Sequence, residues 1–200
     1  MTRDRGSLLD RALRIFGDVR PGEGVGVLLL FFNIWFLLVA YYILKTVREP
    51  LILMGGGAEL KAYAAAAQAA LLIVYVPAYA WVASRLPRRK LILSVVLFFF
   101  GCVQVFCLAV RAGLPYVGFA FFIWVGIFSL TMIAQFWSYA NDLYQQAAGK
   151  RLFPLIAIGS TAGAPLGAAL AAALFRAEVG VYAMMQLAAV LLLVHLGLYG

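Results

Sequence analysis

Six stretches of this chain, each 20 to 30 residues long, contain no Asp, Glu, Lys or Arg: Val25–Leu44, Ala62–Ser84, Leu91–Val110, Ala112–Asn141, Leu152–Phe175 and Val179–Gly200. That pattern leaves few folds open. A helix needs about 20 apolar residues to cross the hydrocarbon core of a bilayer. Inside lipid every backbone N–H and C=O must be paired within the helix or around a closed barrel. Barrel strands are shorter and alternate apolar with polar residues, and these stretches do not alternate. The expectation is an all-α integral membrane protein. Its six transmembrane helices fall at roughly 24–54, 60–84, 90–110, 114–142, 152–175 and 179–200, behind an amino-terminal segment at 1–21. The composition is 66% hydrophobic and 12% charged, where a soluble domain has about 45–50% apolar and about 25% charged residues.

The formal net charge of +8 argues for the membrane surface rather than for nucleic acid, because the basic residues sit in short clusters between the apolar stretches. Arg3, Arg5, Arg11, Arg14, Arg20, Arg85, Arg88, Arg89, Lys90, Lys150 and Arg151 fall on one side of a six-crossing topology, eleven of the sixteen cations. Lys61, Arg111 and Arg176 fall on the other, with Lys45 and Arg48 if those two lie in a loop. The positive-inside rule then puts both termini in the cytoplasm, with the chain a multi-pass protein of the cell (inner) membrane. The loops are short, so consecutive helices are expected to be antiparallel neighbours. The stop at Gly200, with no basic anchor behind the last stretch, fits a truncated chain.

Residues 1–21 are not a signal peptide. Their arginines alternate with Asp4, Asp10 and Asp18, and no compact apolar core precedes a cleavage site. Leu8, Leu9, Ala12, Leu13 and Phe16 recur at helical spacing, as in an amphipathic helix lying at the membrane surface. Cys102 and Cys107 share one apolar run and match no metal or redox spacing. Gly55-Gly56-Gly57 follows no strand and reads as a flexible turn, not a phosphate cradle. With no P-loop, nucleophile elbow or histidine-rich metal spacing in sight, no enzyme activity, cofactor or metal is expected.

Three segments could carry chemistry. In the first, Lys45, Arg48 and Glu49 stand at i, i+3 and i+4 and share a helical face, with Tyr41 one turn earlier. Spacing alone leaves two readings. A helix that continues through Leu51–Met54 is about 45 Å long, and the charges then lie within it, where ionisable groups mark a substrate or ion path. A helix that ends at Glu49, before Pro50, instead makes them outer-interface anchors. In the second, Asn141 and Asp142 precede Lys150 and Arg151, and an Asp142 pair with either cation would latch the loop as a cytoplasmic gate. In the third, Gly159, Gly163 and Gly167 repeat every four residues, a stripe that lets two helices approach closely, and Pro165 between them predicts a kink. Asn33, Gln68, Gln104, Ser129, Thr131 and Gln135 are expected to hydrogen-bond between helices. His195, with no carboxylate in view, reads as a satisfied buried histidine.

The segment Ile43-Leu44-Lys45-Thr46-Val47-Arg48-Glu49-Pro50-Leu51 resembles the helix-one signature of the nucleotide transporter (ATP/ADP translocase) family of plastids and intracellular bacteria. Lys45 and Arg48 fall on its two basic residues and Glu49 on its aspartate. Phe136-Trp137-Ser138-Tyr139-Ala140-Asn141-Asp142, followed by Gly149-Lys150-Arg151-Leu152-Phe153-Pro154-Leu155, is similar to a second element of that family. The spacing of this second match holds across a loop. Arg48 stands where the family has lysine, Lys45 where it has arginine, Glu49 where it has aspartate and Pro50 where it has threonine. The charge signs are kept, but substrate geometry does not carry over from them.

The resemblance implies a major-facilitator-like fold of twelve helices in two halves. Each half is a 3+3 repeat, and this chain covers the amino-terminal one. It implies nucleotide exchange by alternating access, with Arg48, supported by Lys45, on the phosphates in a central cavity. Partners then expected are the bilayer, a nucleotide or other anionic small molecule, and a second six-helix half, supplied by a missing carboxy-terminal half or by a homodimer. The alternative is a non-transporting six-helix scaffold or sensor subunit.

Overall fold

The computed structural model describes residue 10 and residues 13–199. Among the described residues all regular structure is helical, in five helices: α1 (Gly24–Arg85), α2 (Arg88–Arg111), α3 (Val117–Leu143), α4 (Gln146–Arg176) and α5 (Val181–Gly197). Helices α1 to α4 are each long and apolar enough to cross a membrane, and α5, with 17 residues, is apolar but shorter. Most of the expected surface helix at 1–21 lies outside the described residues. Within its described part, Leu13 and Val19 pack on the core while Ile15 and Phe16 are exposed. The Asp10 carboxylate accepts hydrogen bonds from the Gly22 and Gly24 amides at 3.2 and 3.0 Å, which fastens the tail to the start of α1.

Five helices stand where six were expected, and the difference lies in α1, which joins two helices across a kink. Its 62 residues would make a straight rod of about 93 Å, roughly three times the thickness of the hydrocarbon core. The rod is broken at Gly56 and Gly57, with φ/ψ of 170°/15° and 68°/−158°. The second pair is a conformation that glycine alone adopts without strain. We call residues 24–55 the first limb and 58–85 the second limb. Pro50 does not end the first limb; α1 continues through it, so of the two readings that spacing left open the continuous helix is the one observed. In an apolar surrounding the backbone has no better option than to stay helical. Proline at 50 removes the donor to the Thr46 carbonyl only.

Contacts to α3 fix the direction of each limb. Tyr41 lies 6.5 Å from Phe128 between ring centroids, and Leu51 meets Gly118, so the first limb runs against α3. Gln68 lies against Gly126 and the Tyr75 hydroxyl is 2.8 Å from Thr131, so the second limb runs along α3. The limbs are therefore opposed, and the chain reverses at the glycines. Helix α2 opposes α3, with Phe99 on Phe128 and Phe106 on Phe121. Helix α4 runs with the first limb, Gly159, Gly163 and Gly167 meeting Phe31, Trp35 and Val39 in turn. Helix α5 opposes α2, Gln186 reaching Gln104 and Tyr182 lying under Arg111. Six rods thus alternate in direction along the chain.

Alternation does not make neighbours, and here the sequence expectation is corrected. The close packing is between the first limb and α3, α4 and α5, between α3 and the second limb, and between α2 and α5; α2 and α3 touch less. Short connections impose opposite directions, but the faces that bear small or aromatic residues choose the partner. The core lies around the first limb and α3, where Ile34, Leu37, Phe99, Phe121, Phe128, Met132 and Phe136 are fully buried.

Candidate functional site

The face that carries Tyr41, Lys45, Arg48 and Glu49 lies inside the first limb, two helical turns short of the glycine break. Tyr41, Lys45, Arg48 and Glu49 are all only partly exposed. The Arg48 side chain is 13% exposed. Its guanidinium carbon sits 4.1 Å from the centroid of the Phe122 ring of α3, a cation–π contact. One terminal nitrogen pairs with Glu49 Oε1 at 3.1 Å, and Nε is buried without a partner. The other Glu49 oxygen, Oε2, accepts from Lys61 Nζ at 2.5 Å. The carboxylate therefore ties the two limbs together across the reversal. Lys45 forms no ion pair among the described residues; its ammonium lies over the rings of Tyr42 and Tyr41, 5.1 and 5.9 Å from their centroids. Two cations share one carboxylate and Lys45 stands beside them unpaired, which leaves a surplus of positive charge suited to an anion.

Sequence spacing placed Lys61 in an outer loop and missed its part in this cluster. The usable signal was a cation twelve residues after Glu49 with three glycines between, which is a hairpin register. Phe122 carried no signal, since nothing local distinguishes it from the other aromatics of α3.

At the opposite end of the bundle the expected latch is rearranged. Asp142 pairs with Arg88 at 2.5 Å, joining the end of α3 to the start of α2, and not with Lys150 or Arg151. Arg151 turns to the amino-terminal side, meeting Glu23 at 3.0 Å and Asp18 at 3.7 Å and donating to the Asp18 carbonyl. This hydrogen bond from Arg151 is the largest influence holding the Glu23 carboxyl below its ordinary value, against partial desolvation. Among the described residues the side chains of Asn141 and Lys150 take no hydrogen bond or ion pair. They border a cleft of 460 Å³ between the end of α3 and the start of α4.

The glycine stripe lies against the first limb. Added Cβ atoms at Gly159 and Gly163 would lie 2.5 and 2.8 Å from the Phe31 and Trp35 carbonyl oxygens, and at Gly167 2.8 Å from Val39 Cα. Helix α4 stays helical through Pro165. Of the polar residues, Asn33 Nδ2 donates to the His195 carbonyl, and His195 Nδ1 lies 3.1 Å from the Asn33 carbonyl in return. Gln104 accepts from Gln186 at 2.9 Å, and Thr131 meets Tyr75. Ser129 bonds only to Gly126 of its own helix, and both amide atoms of the buried Gln135 and Oε1 of Gln68 lack partners. Cys107 is buried and Cys102 partly so, both as free thiols. Among the described residues no group of three or more His, Cys, Asp or Glu gathers to hold a metal. Comparison with protein-family models, curated proteins and solved structures finds no match to this chain.

Proposed function

We propose that the chain forms one six-helix wall of a membrane transporter that exchanges nucleotides or a related anionic metabolite by alternating access. Its motifs resemble those of the ATP/ADP antiporters. The observation that carries this reading is the charge cluster inside α1. A guanidinium held largely out of water within an apolar helix is costly, and such groups mark substrate or ion paths. Arg48, Lys45 and Lys61 outnumber Glu49 three to one. Guanidinium and ammonium groups are the natural partners of a phosphate chain, and Glu49 pairs with two of the cations, offsetting one positive charge.

The packing supports the rest. Exchange the first limb, second limb and α2 for α3, α4 and α5, and most of the close contacts map onto one another, the first limb with α5 having only the weaker α2–α3 contact as its counterpart. The first limb with α4 becomes α3 with the second limb; the first limb with α3 and α2 with α5 are unchanged. Such a pattern is what a 3+3 inverted repeat produces. Arg85, Arg88, Arg89, Lys90, Lys150 and Arg151 gather at one end of the bundle, which on the positive-inside rule faces the cytoplasm. One wall needs a second, either a further six-helix half or another copy.

The test is uptake of labelled ATP into cells or liposomes carrying the protein. Arg48→Ala is expected to abolish uptake, by at least tenfold, at unchanged protein level in the membrane. Unchanged uptake sinks the Arg48 assignment. A scaffold or sensor would show neither uptake nor any rise in melting temperature with nucleotide in detergent, where a binding site raises stability by mass action.

A further inference from the structure

The latch accounts for Asp142 and Arg151 and leaves Asn141 and Lys150 unused. Both stand exposed on the 460 Å³ cleft between α3 and α4, a volume within the range of about 300–1,000 Å³ of small-molecule sites. The cleft exists because α3 and α4, joined only through Tyr144 and Gln145, diverge from the turn with few close backbone approaches. Its wall is aromatic: Trp137 and Phe153 meet edge to face at 5.9 Å, and Tyr144 meets Phe153 edge to face at 6.3 Å. Its polar groups are Asn141, Gln146 and Lys150, and none of these three side chains is engaged by another described residue. Lys150 is the uncommitted cation here, since the neighbouring Arg151 is occupied by Glu23 and Asp18.

We infer that this cleft is a second binding station, for an anion that carries a planar ring. The ring lies on the Trp137–Phe153 wall, the amides of Asn141 and Gln146 read its edge, and Lys150 meets the charge. Aromatic faces accept any flat heterocycle, and side-chain amides supply both donors and acceptors. The cleft lies at the basic end of the bundle and the Arg48 cluster toward the opposite end. A nucleotide-like substrate would meet the first on the cytoplasmic side and the second deeper in. This inference rests on the exchange reading, and the experiment separates the two.

The protein, purified in detergent, is photolabelled with 8-azido-ATP, and the labelled peptides are mapped. Label is expected on residues 137–153, with protection by ATP at least tenfold better than by inorganic triphosphate or by adenosine alone. Trp137→Ala and Lys150→Ala should each reduce that label about tenfold, while Lys150→Arg keeps it and all three variants keep the wild-type melting temperature. Protection by phosphatidylglycerol but not by ATP makes the cleft a lipid groove and overturns the inference. Label elsewhere, together with normal uptake by both alanine variants and none by Arg48→Ala, overturns the cleft and leaves the exchange reading standing. No labelling and no uptake overturns both.

Discussion

A carboxylate between two cations is more sensitive to its partners than to its own helix. Glu23, just outside α1, shows this at a place where pH can be varied freely. Its carboxyl is held below the ordinary value of 4.5 chiefly by Arg151, with a further hydrogen bond from the Arg20 amide at 2.9 Å. A depressed carboxyl contributes stability that is fully present above its unfolded value and is lost as the pH falls through the lower folded one. The melting temperature in detergent should therefore drop below about pH 4.5. Glu23→Gln should start lower at pH 7 and lose that part of the acid dependence; an unaltered acid limb would refute the assignment. The sequence made part of this chemistry legible. Lys45, Arg48 and Glu49 share a face by spacing, and that needs no tertiary knowledge. The partners were not legible, because Lys61 reaches Glu49 around a reversal and Arg88 reaches Asp142 across 54 residues. Proximity in sequence pointed to Lys150 and Arg151, and proximity in space did not follow.

Helices are where the sequence was most informative, and the reason is the solvent. In lipid an apolar stretch has one backbone solution, so each window of unbroken hydropathy falls on helix, two of them on the two limbs of α1. Their limits were less secure. Charge-free windows cannot see that α2 begins within the basic turn at Arg88, or that α4 begins at Gln146 ahead of Lys150 and Arg151. Nor could proline be read as a stop: Pro50, Pro77, Pro154 and Pro165 all lie inside helices. The glycine stripe of α4 was legible because its meaning is purely steric. Gly163→Ala would press a methyl carbon onto the Trp35 carbonyl at 2.8 Å and Leu38 Cβ at 3.1 Å. We expect it to cost about 1–3 kcal/mol, read as a lowered melting temperature in detergent. Gly180→Ala, at a helix start with φ −62° and nothing within 4 Å of the added carbon, should leave it unchanged. Equal effects at both positions would remove close helix approach as the cause.

For the whole molecule the testable quantity is the number of crossings. With Cys102 and Cys107 replaced by serine, single cysteines are placed at Ala58, Leu86 and Ala177. Six crossings require that Leu86→Cys react with an impermeant thiol reagent only from the cytoplasmic side, and Ala58→Cys and Ala177→Cys only from outside. Labelling of Ala58→Cys and Leu86→Cys from one side would rule out a crossing by the second limb. Adjacency was the least legible property at this scale, since loop length sets direction and says nothing about which faces meet. The pairing actually adopted bears on how the chain is made. The first limb emerges first, yet the helices it packs on are α3, α4 and α5. Arg48 must enter the bilayer well before Phe122 is synthesised, and Asn33 waits 162 residues for His195. Closure of the core thus waits until α5 is made. A chain interrupted before α5 leaves Asn33 without its partner on that helix, an unclosed core that membrane quality control can detect.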